Sequence, residues 1–144
     1  METSIWLLLH SSKKAAEAIL KFPNVEINNI DNKGLTVLFN YTEWRLMSKL
    51  LQYPNINVIV KDQCRHSAFF MFLRFVHGNN YKYTVRSQIF KMIKLFMSIP
   101  GSHKSRNNYG ESIIHSIVVW NNSNLLSVIL SENALLLTKV DIDG

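Results

Sequence analysis

The sequence is poor in cysteine: its 144 residues include one, Cys64, so no disulfide can form within the chain. A single cysteine is typical of a reducing compartment and predicts an intracellular location, cytoplasmic or nuclear. Long apolar runs are also missing, since residues 68–73 fall far short of the roughly 20 residues that cross a bilayer. Residues 1–10 contain no lysine or arginine, unlike the basic start of a secretory signal. We therefore expect no transmembrane segment.

Acidic residues are absent from the middle of the chain, between Gln63 and Gly110. The basic residues of this segment are Arg65, Arg74, Lys82, Arg86, Lys91, Lys94, Lys104 and Arg106. Such a segment can attract an acidic protein, phosphate groups or an anionic surface. The alternative interpretation is that these side chains form the solvated faces of helices and loops.

A short motif recurs at residues 31–38, 62–69, 107–114 and 141–144. Each copy has Asp or Asn three residues before a glycine or an arginine. Where the chain continues, a hydroxyl residue and then apolar residues follow. The glycine or arginine positions, Gly34, Arg65, Gly110 and Gly144, are separated by 31, 45 and 34 residues. A period near 33 residues indicates a stacked array of repeats.

The motif divides the chain into units at about residues 1–30, 31–61, 62–106 and 107–140, and residues 141–144 begin a further unit. Each unit has an apolar stretch, a polar break, a second apolar stretch and an extended connection. The pattern predicts an all-α fold of stacked helix-turn-helix units joined by extended finger loops, and a chain cut from a longer array. In the motif, Thr36, Ser67 and Ser112 are expected to cap each first helix. The Asp or Asn five residues earlier is expected to support the turn.

The unit at residues 62–106 is about 12 to 14 residues longer than the repeat period. Residues 77–84 carry Gly-Asn-Asn turn chemistry, and we expect them to form an exposed loop between two helices. Elongation of both helices is the alternative.

These motifs resemble the ankyrin repeat, whose pattern of about 33 residues begins Asp-x-x-Gly-x-Thr-Pro-Leu-His. The matching residues are Asp31, Gly34, Thr36, Leu38, Asp62, Ser67, Gly110, Ser112, Ile114, His115, Asp141 and Gly144. The family's proline is absent, and Arg65 replaces a glycine where a side chain is unfavourable. The resemblance covers the whole chain and implies an ankyrin-repeat solenoid that acts as a non-enzymatic protein-binding scaffold.

The resemblance also implies a binding surface on the finger loops, residues 24–32, 55–63 and 102–109, and on the first helices of the units. We expect it to bind an acidic or mixed surface of a protein partner. The candidate partner-binding residues are Lys33, Trp44, Arg65, Tyr81, Lys82, Tyr83, Lys104, Arg106 and Trp120. For Trp44 and Trp120 the alternative is a structural role, in which the rings close the end of a helix pair.

One further feature of the resemblance is the layout of Leu20, Glu26, Ile27 and Asn28. In ankyrin repeats, a leucine followed by an acidic residue, an aliphatic residue and asparagine can mark that asparagine for hydroxylation. Asn28 is therefore a candidate modification site.

Two other hypotheses remain open. Tyr81 and Tyr83 beside Lys82 are suited to stacking on nucleic-acid bases, so the basic unit is a candidate for binding nucleic acid or an anionic surface. Alternatively, the array is the regulatory part of a larger enzyme or channel. The identity of the partner and the oligomeric state do not follow from the sequence.

Catalytic and cofactor sites are not expected. The sequence has no phosphate-binding glycine loop, and Ser112 is not in a nucleophile elbow. Asp62, Cys64 and His66 lie close together, but a closed zinc site takes about four ligands. We expect these three residues to have a structural role in their turn.

Overall fold

The computed structural model describes residues 12–40, 44–79 and 83–132. These residues form six α-helices and one turn of 3-10 helix, Val37–Phe39. The α-helices are α1 (Lys13–Ile19), α2 (Trp44–Leu51), α3 (Ala68–Gly78), α4 (Tyr83–Ser98), α5 (Ile113–Val119) and α6 (Ser123–Glu132). The described parts of the chain contain no β-strand, only isolated bridges between Lys61 and Ser67 and between Arg106 and Ser112. The predicted all-α class is confirmed. None of the described helices is long and apolar enough to span a membrane.

The helices pack in two rows. In one row α1 contacts α2, α2 contacts α4, and α4 contacts α6. On the other side, the 3-10 turn contacts α3, and α5 pairs with α6. Helix α4 shows why the rows form, because its buried residues recur at helical spacing and make one apolar stripe. These residues are Ile89, Met92, Ile93 and Phe96.

Because no unit can bury its own apolar face, the repeat pattern predicts one continuous core that joins Leu38, Phe69, Phe72 and Ile114 to the paired apolar residues at the ends of the second helices. Leu38, on the 3-10 turn, and Phe69, Phe72 and Ile114, on α3 and α5, are buried. From the paired apolar residues at the ends of second helices, Leu50, Leu51, Phe96 and Ile129 are buried as well. Ile19, Leu20, Leu95 and Leu130 are half-buried. The expected core is therefore largely confirmed.

Three turns with the same hydrogen-bond pattern precede the first helices. We call residues 31–35 the first turn, residues 62–66 the second turn and residues 107–111 the third turn. In each, one side-chain oxygen of Asp31, Asp62 or Asn107 accepts bonds from the backbone N–H groups two and four residues later, at 2.7–3.0 Å. A side chain that bonds its own following backbone closes a turn without outside help. The predicted role of these three residues is confirmed.

Helix capping after the turns is confirmed at two positions and wrong at one. Ser67 Oγ accepts a bond from the Phe70 N–H at 3.2 Å, and Ser112 Oγ accepts one from the His115 N–H at 3.4 Å. Thr36 makes no such bond, and its buried Oγ1 has no hydrogen-bond partner. The reason is local: in the described residues that follow Thr36, a 3-10 turn, Val37–Phe39, stands in place of an α-helix.

The extra length of the unit at residues 62–106 lies mainly in its helices. Helix α3 has 11 residues and α4 has 16, whereas α5 and α6 in the next unit have 7 and 10. The predicted loop over residues 77–84 is therefore wrong at His77 and Gly78, which belong to α3, and from Tyr83 onward, where α4 begins. Residues 80–82 lie outside the described parts of the chain. Helix α4 contacts both α2 and α6.

The fourth residue of each turn is in the left-handed backbone region, with φ of 77° at Gly34, 62° at Arg65 and 76° at Gly110. Arg65 thus takes a conformation that glycine adopts in the other two turns, as the motif predicted. A residue with a Cβ is disfavoured there by about 1–2 kcal/mol. The second turn therefore carries strain that its two counterparts avoid.

We expect Arg65→Gly to raise the free energy of unfolding by about 0.5–1 kcal/mol, because relief of this strain exceeds the extra entropy of glycine in the unfolded chain. The reciprocal control is Gly34→Ala, where an added Cβ meets no atom within 4 Å and only the backbone conformation is penalised. That variant should lose a similar amount. Urea unfolding followed by circular dichroism measures both, and a less stable Arg65→Gly protein would contradict the strain.

Candidate partner-binding surface on the finger loops

The first and second finger loops are joined by the side chain of Asn28. Its Nδ2 donates to the Asn55 carbonyl oxygen at 2.7 Å, and its Oδ1 accepts from the Asn57 N–H at 2.7 Å. An asparagine that uses both ends of its amide holds two backbone segments at a set distance. Hydroxylation of Asn28 stays a prediction, and the structure gives this residue a second role as the link between loops.

Tyr53 fastens the first finger loop to the end of α2. Its hydroxyl donates to the Phe22 carbonyl oxygen at 2.5 Å and accepts from the Val25 N–H at 2.9 Å. The ring itself is buried. Since Tyr53 follows α2 and the other two residues follow α1, these bonds join equivalent places in successive units.

A bond from a side chain to the backbone also joins the second and third finger loops. Lys61 Nζ donates to the carbonyl oxygen of Arg106 at 3.2 Å. Lys61 and Arg106 hold equivalent positions, because each directly precedes its turn. The three loops therefore follow one another as connected neighbours, and their tips belong to a single row.

The finger loops and the turns that follow them carry basic side chains that are open to solvent. Lys33, Arg65 and Lys104 are exposed. Ion pairs in the described ranges involve Lys49 with Glu17, His66 with Asp62 and Lys94 with Glu132, and none involves those three residues. Their charges are thus available to a partner.

Arg106 differs from the other predicted basic residues of the loops. It is half-buried, and its Nη1 donates to the carbonyl oxygen of Gly110 at 2.7 Å. This bond ties the guanidinium to the third turn. The predicted binding role of Arg106 is therefore shared with a structural one.

Large apolar side chains are also exposed on the three finger loops, and the repeat motif did not predict them. Ile30 and Ile59 are each 60% exposed, and Tyr109 is 86% exposed. A signal existed for Tyr109: it stands two residues after Asn107, in the position of Lys33 in the first turn. Since that position faces solvent in all three turns, an aromatic residue there is an exposed anchor candidate.

The predicted aromatic anchors are less accessible. Trp120 is half-buried, stacked on His77 with ring centroids 5.1 Å apart and tilted against Phe70 at 5.7 Å. These contacts match the structural alternative for Trp120, whose ring closes the end of the α5–α6 pair. The side chains of Trp44 and Tyr83, and all of Tyr81 and Lys82, lie outside the described residues.

The basic segment of the sequence is distributed over several elements of the fold. Exposed Arg74 is on α3, while Arg86, Lys91 and Lys94 are on α4. The Arg86 guanidinium lies 5.3 Å from the centre of the Phe90 ring, and Lys94 lies 3.7 Å from Glu132. The segment thus contributes basic side chains to α3, to α4 and to the finger loops.

Comparisons with known proteins assign no family to the chain. No protein-family profile matches it, and no solved structure matches it. A stretch of 56 residues is 39% identical to a UPF0507 protein of Kluyveromyces lactis. This match covers 39% of the chain and 5% of that protein, so the chain is similar to a small part of a much longer relative.

Proposed function

We propose that this chain is a non-enzymatic binding module with an ankyrin-like stack of units, and that its finger loops bind an acidic segment of a protein partner. One observation carries the proposal. Three connected loops and the turns that follow them expose Lys33, Arg65 and Lys104 without an acidic partner among the described residues. Stacked repeat arrays bind through such extended rows, to which each unit contributes one loop.

The neighbouring apolar side chains refine the chemistry of the partner. Ile30, Ile59 and Tyr109 are exposed on the same three loops and offer apolar contacts of a size typical of binding anchors. We therefore expect a partner segment that combines Asp or Glu with aliphatic or aromatic residues. The charges would speed association and select the partner, while the apolar contacts would hold it. The exposed thiol of Cys64 supports an intracellular setting for this module.

Selection from a random peptide library tests the proposed chemistry of the bound segment directly. We expect the enriched peptides to be acidic and to contain large apolar residues. The triple variant Lys33→Glu, Arg65→Glu, Lys104→Glu should bind these peptides about 10- to 100-fold more weakly at low salt, as reversal of three contacting charges implies.

The matched control is the triple variant Lys21→Glu, Arg86→Glu, Lys91→Glu, which leaves the first helices unchanged. It changes the net charge by the same amount at exposed residues away from the three turns, with the same two lysines and one arginine. We expect less than about a threefold loss of affinity, since only the long-range field changes. Equal losses in both variants, or enriched peptides without acidic residues, would contradict binding at the finger loops. Circular dichroism checks that both variants keep their helices.

A further inference from the structure

The second turn carries three metal-ligating side chains, whereas each of the other two turns carries one, Asp31 or Glu111. The carboxylate of Asp62, the thiol of Cys64 and the imidazole of His66 each place one ligand atom within 4.8 Å of the others. The matching residues are Asp31, Lys33 and Leu35 in the first turn and Asn107, Tyr109 and Glu111 in the third turn. The turn itself does not require Cys64 or His66, because the other two turns form without them.

The two oxygens of the Asp62 carboxylate make different contacts. Oδ1 accepts the Cys64 and His66 N–H groups at 2.9 and 2.7 Å, which closes the turn. Oδ2 lies 3.5 Å from the Nδ1 atom of His66. Since Asn107 closes the third turn with a single side-chain oxygen, Oδ2 of Asp62 is not needed to close the second turn. Its contact with His66 is the one that a shared metal ion would replace.

The distance between Asp62 Oδ2 and His66 Nδ1 fits two ligands of one metal ion better than a direct hydrogen bond. An ordinary N–H···O bond spans about 2.7–3.2 Å, shorter than the observed 3.5 Å. Bond lengths of 2.0–2.3 Å around tetrahedral zinc place adjacent ligand atoms about 3.3–3.7 Å apart. Asp62 Oδ2 and His66 Nδ1 already stand at that distance.

Two of the three ligands are held in place before any metal binds. The two backbone bonds orient the carboxylate, and the imidazole stacks on Phe70, with ring centroids 4.4 Å apart and planes 5° from parallel. Cys64 is exposed, so its side chain can rotate to bring the sulfur to the ion. Preorganised ligands lose less conformational entropy on binding than free side chains do.

We propose that the second turn binds one zinc ion through Asp62 Oδ2, Cys64 Sγ and a ring nitrogen of His66, with water as the fourth ligand. The set of one sulfur, one nitrogen and one oxygen suits zinc or cobalt rather than calcium or magnesium, which take oxygen ligands. The thiol gives its proton to solvent as the sulfur binds. This inference stands whether or not the finger loops bind a partner.

Cobalt(II) provides a direct test on the whole chain, because a cobalt–thiolate bond produces a near-ultraviolet charge-transfer band. The chain has a single cysteine, so such a band reports on Cys64 alone. In the presence of a non-thiol reductant, we expect the band to saturate at one cobalt ion per chain and to disappear when zinc is added. Cys64→Ser should abolish the band and weaken zinc binding in calorimetry by about 10- to 100-fold or more.

A matched pair of variants separates metal binding from folding. Asp62→Asn and Asp31→Asn both keep a side-chain oxygen for the turn, as Asn107 does in the third turn. Only Asp62→Asn should weaken zinc binding, by about 10-fold or more. Three results would overturn the site: no band from a folded chain, equal zinc affinity in wild type, Asp62→Asn and Cys64→Ser, or two chains sharing one ion in sedimentation.

Discussion

Replacing Phe96 with alanine is expected to lower the free energy of unfolding by about 3–5 kcal/mol. The Phe96 side chain is fully buried on α4. Its ring stacks on Phe69 of α3 at 4.6 Å between centroids and lies 5.9 Å from Phe72. Loss of the ring removes apolar burial and leaves a cavity between the two rows of helices, at the helix that contacts both α2 and α6.

The matched control for this variant is Phe22→Ala, which removes the same ring from a side chain that is 65% exposed. We expect it to change stability by less than about 0.5 kcal/mol. Urea unfolding monitored by circular dichroism measures both variants. If Phe96→Ala leaves too little folded protein, Phe96→Leu keeps much of the volume and should lose a smaller amount. Similar losses for Phe96→Ala and Phe22→Ala would contradict the core described above.

The second large effect is expected at the first turn. Asp31→Ala should lower the free energy of unfolding by about 2 kcal/mol. Hydrogen bonds to a charged acceptor contribute about 1.5–3 kcal/mol, and Asp31 is half-buried. Asp31 Oδ1 accepts the Lys33 and Leu35 N–H groups at 2.8 and 2.9 Å, and the variant leaves both donors without that acceptor. Chemical unfolding, again with circular dichroism, gives the loss.

Asp31→Asn is the control for the turn. Asparagine keeps the accepting oxygen, and Asn107 makes the same two bonds in the third turn at 2.9 and 3.0 Å. We expect this variant to stay within about 0.5 kcal/mol of the wild type. If it were as unstable as Asp31→Ala, the negative charge and not the hydrogen-bond pattern would hold the turn.

The turns could be predicted from the sequence because their bonds join residues at most four positions apart. Asp31, Asp62 and Asn107 bond their own following backbone, so the motif alone specifies the geometry. The left-handed conformation at Arg65 follows in the same way from its alignment with Gly34 and Gly110. The apolar spacing likewise predicted most of the core and the all-α class.

The failures lie where distant packing competes with a local preference. Gly78 and its neighbours predicted a loop, yet α3 extends to Gly78 and α4 begins at Tyr83. Helix α4 contacts both α2 and α6. Threonine often caps helices, but the short Val37–Phe39 turn follows Thr36, and the Thr36 hydroxyl has no hydrogen-bond partner among the described residues. Helix length depends on the surface against which a helix packs, and the motif does not contain that information.

For the candidate surface, the turns, the period and the basic residues of the loops and turns could be read from the motif. Solvent exposure became known only from the packed fold, which exposes Ile30, Ile59 and Tyr109 and ties Arg106 to Gly110. The packed fold also places Asp62 Oδ2 3.5 Å from the His66 imidazole. The physical reason is the range of the interactions. The hydrogen bonds of a turn join residues within five consecutive positions, so the local sequence specifies them. The exposure of side chains and the distances between them depend on everything packed around them.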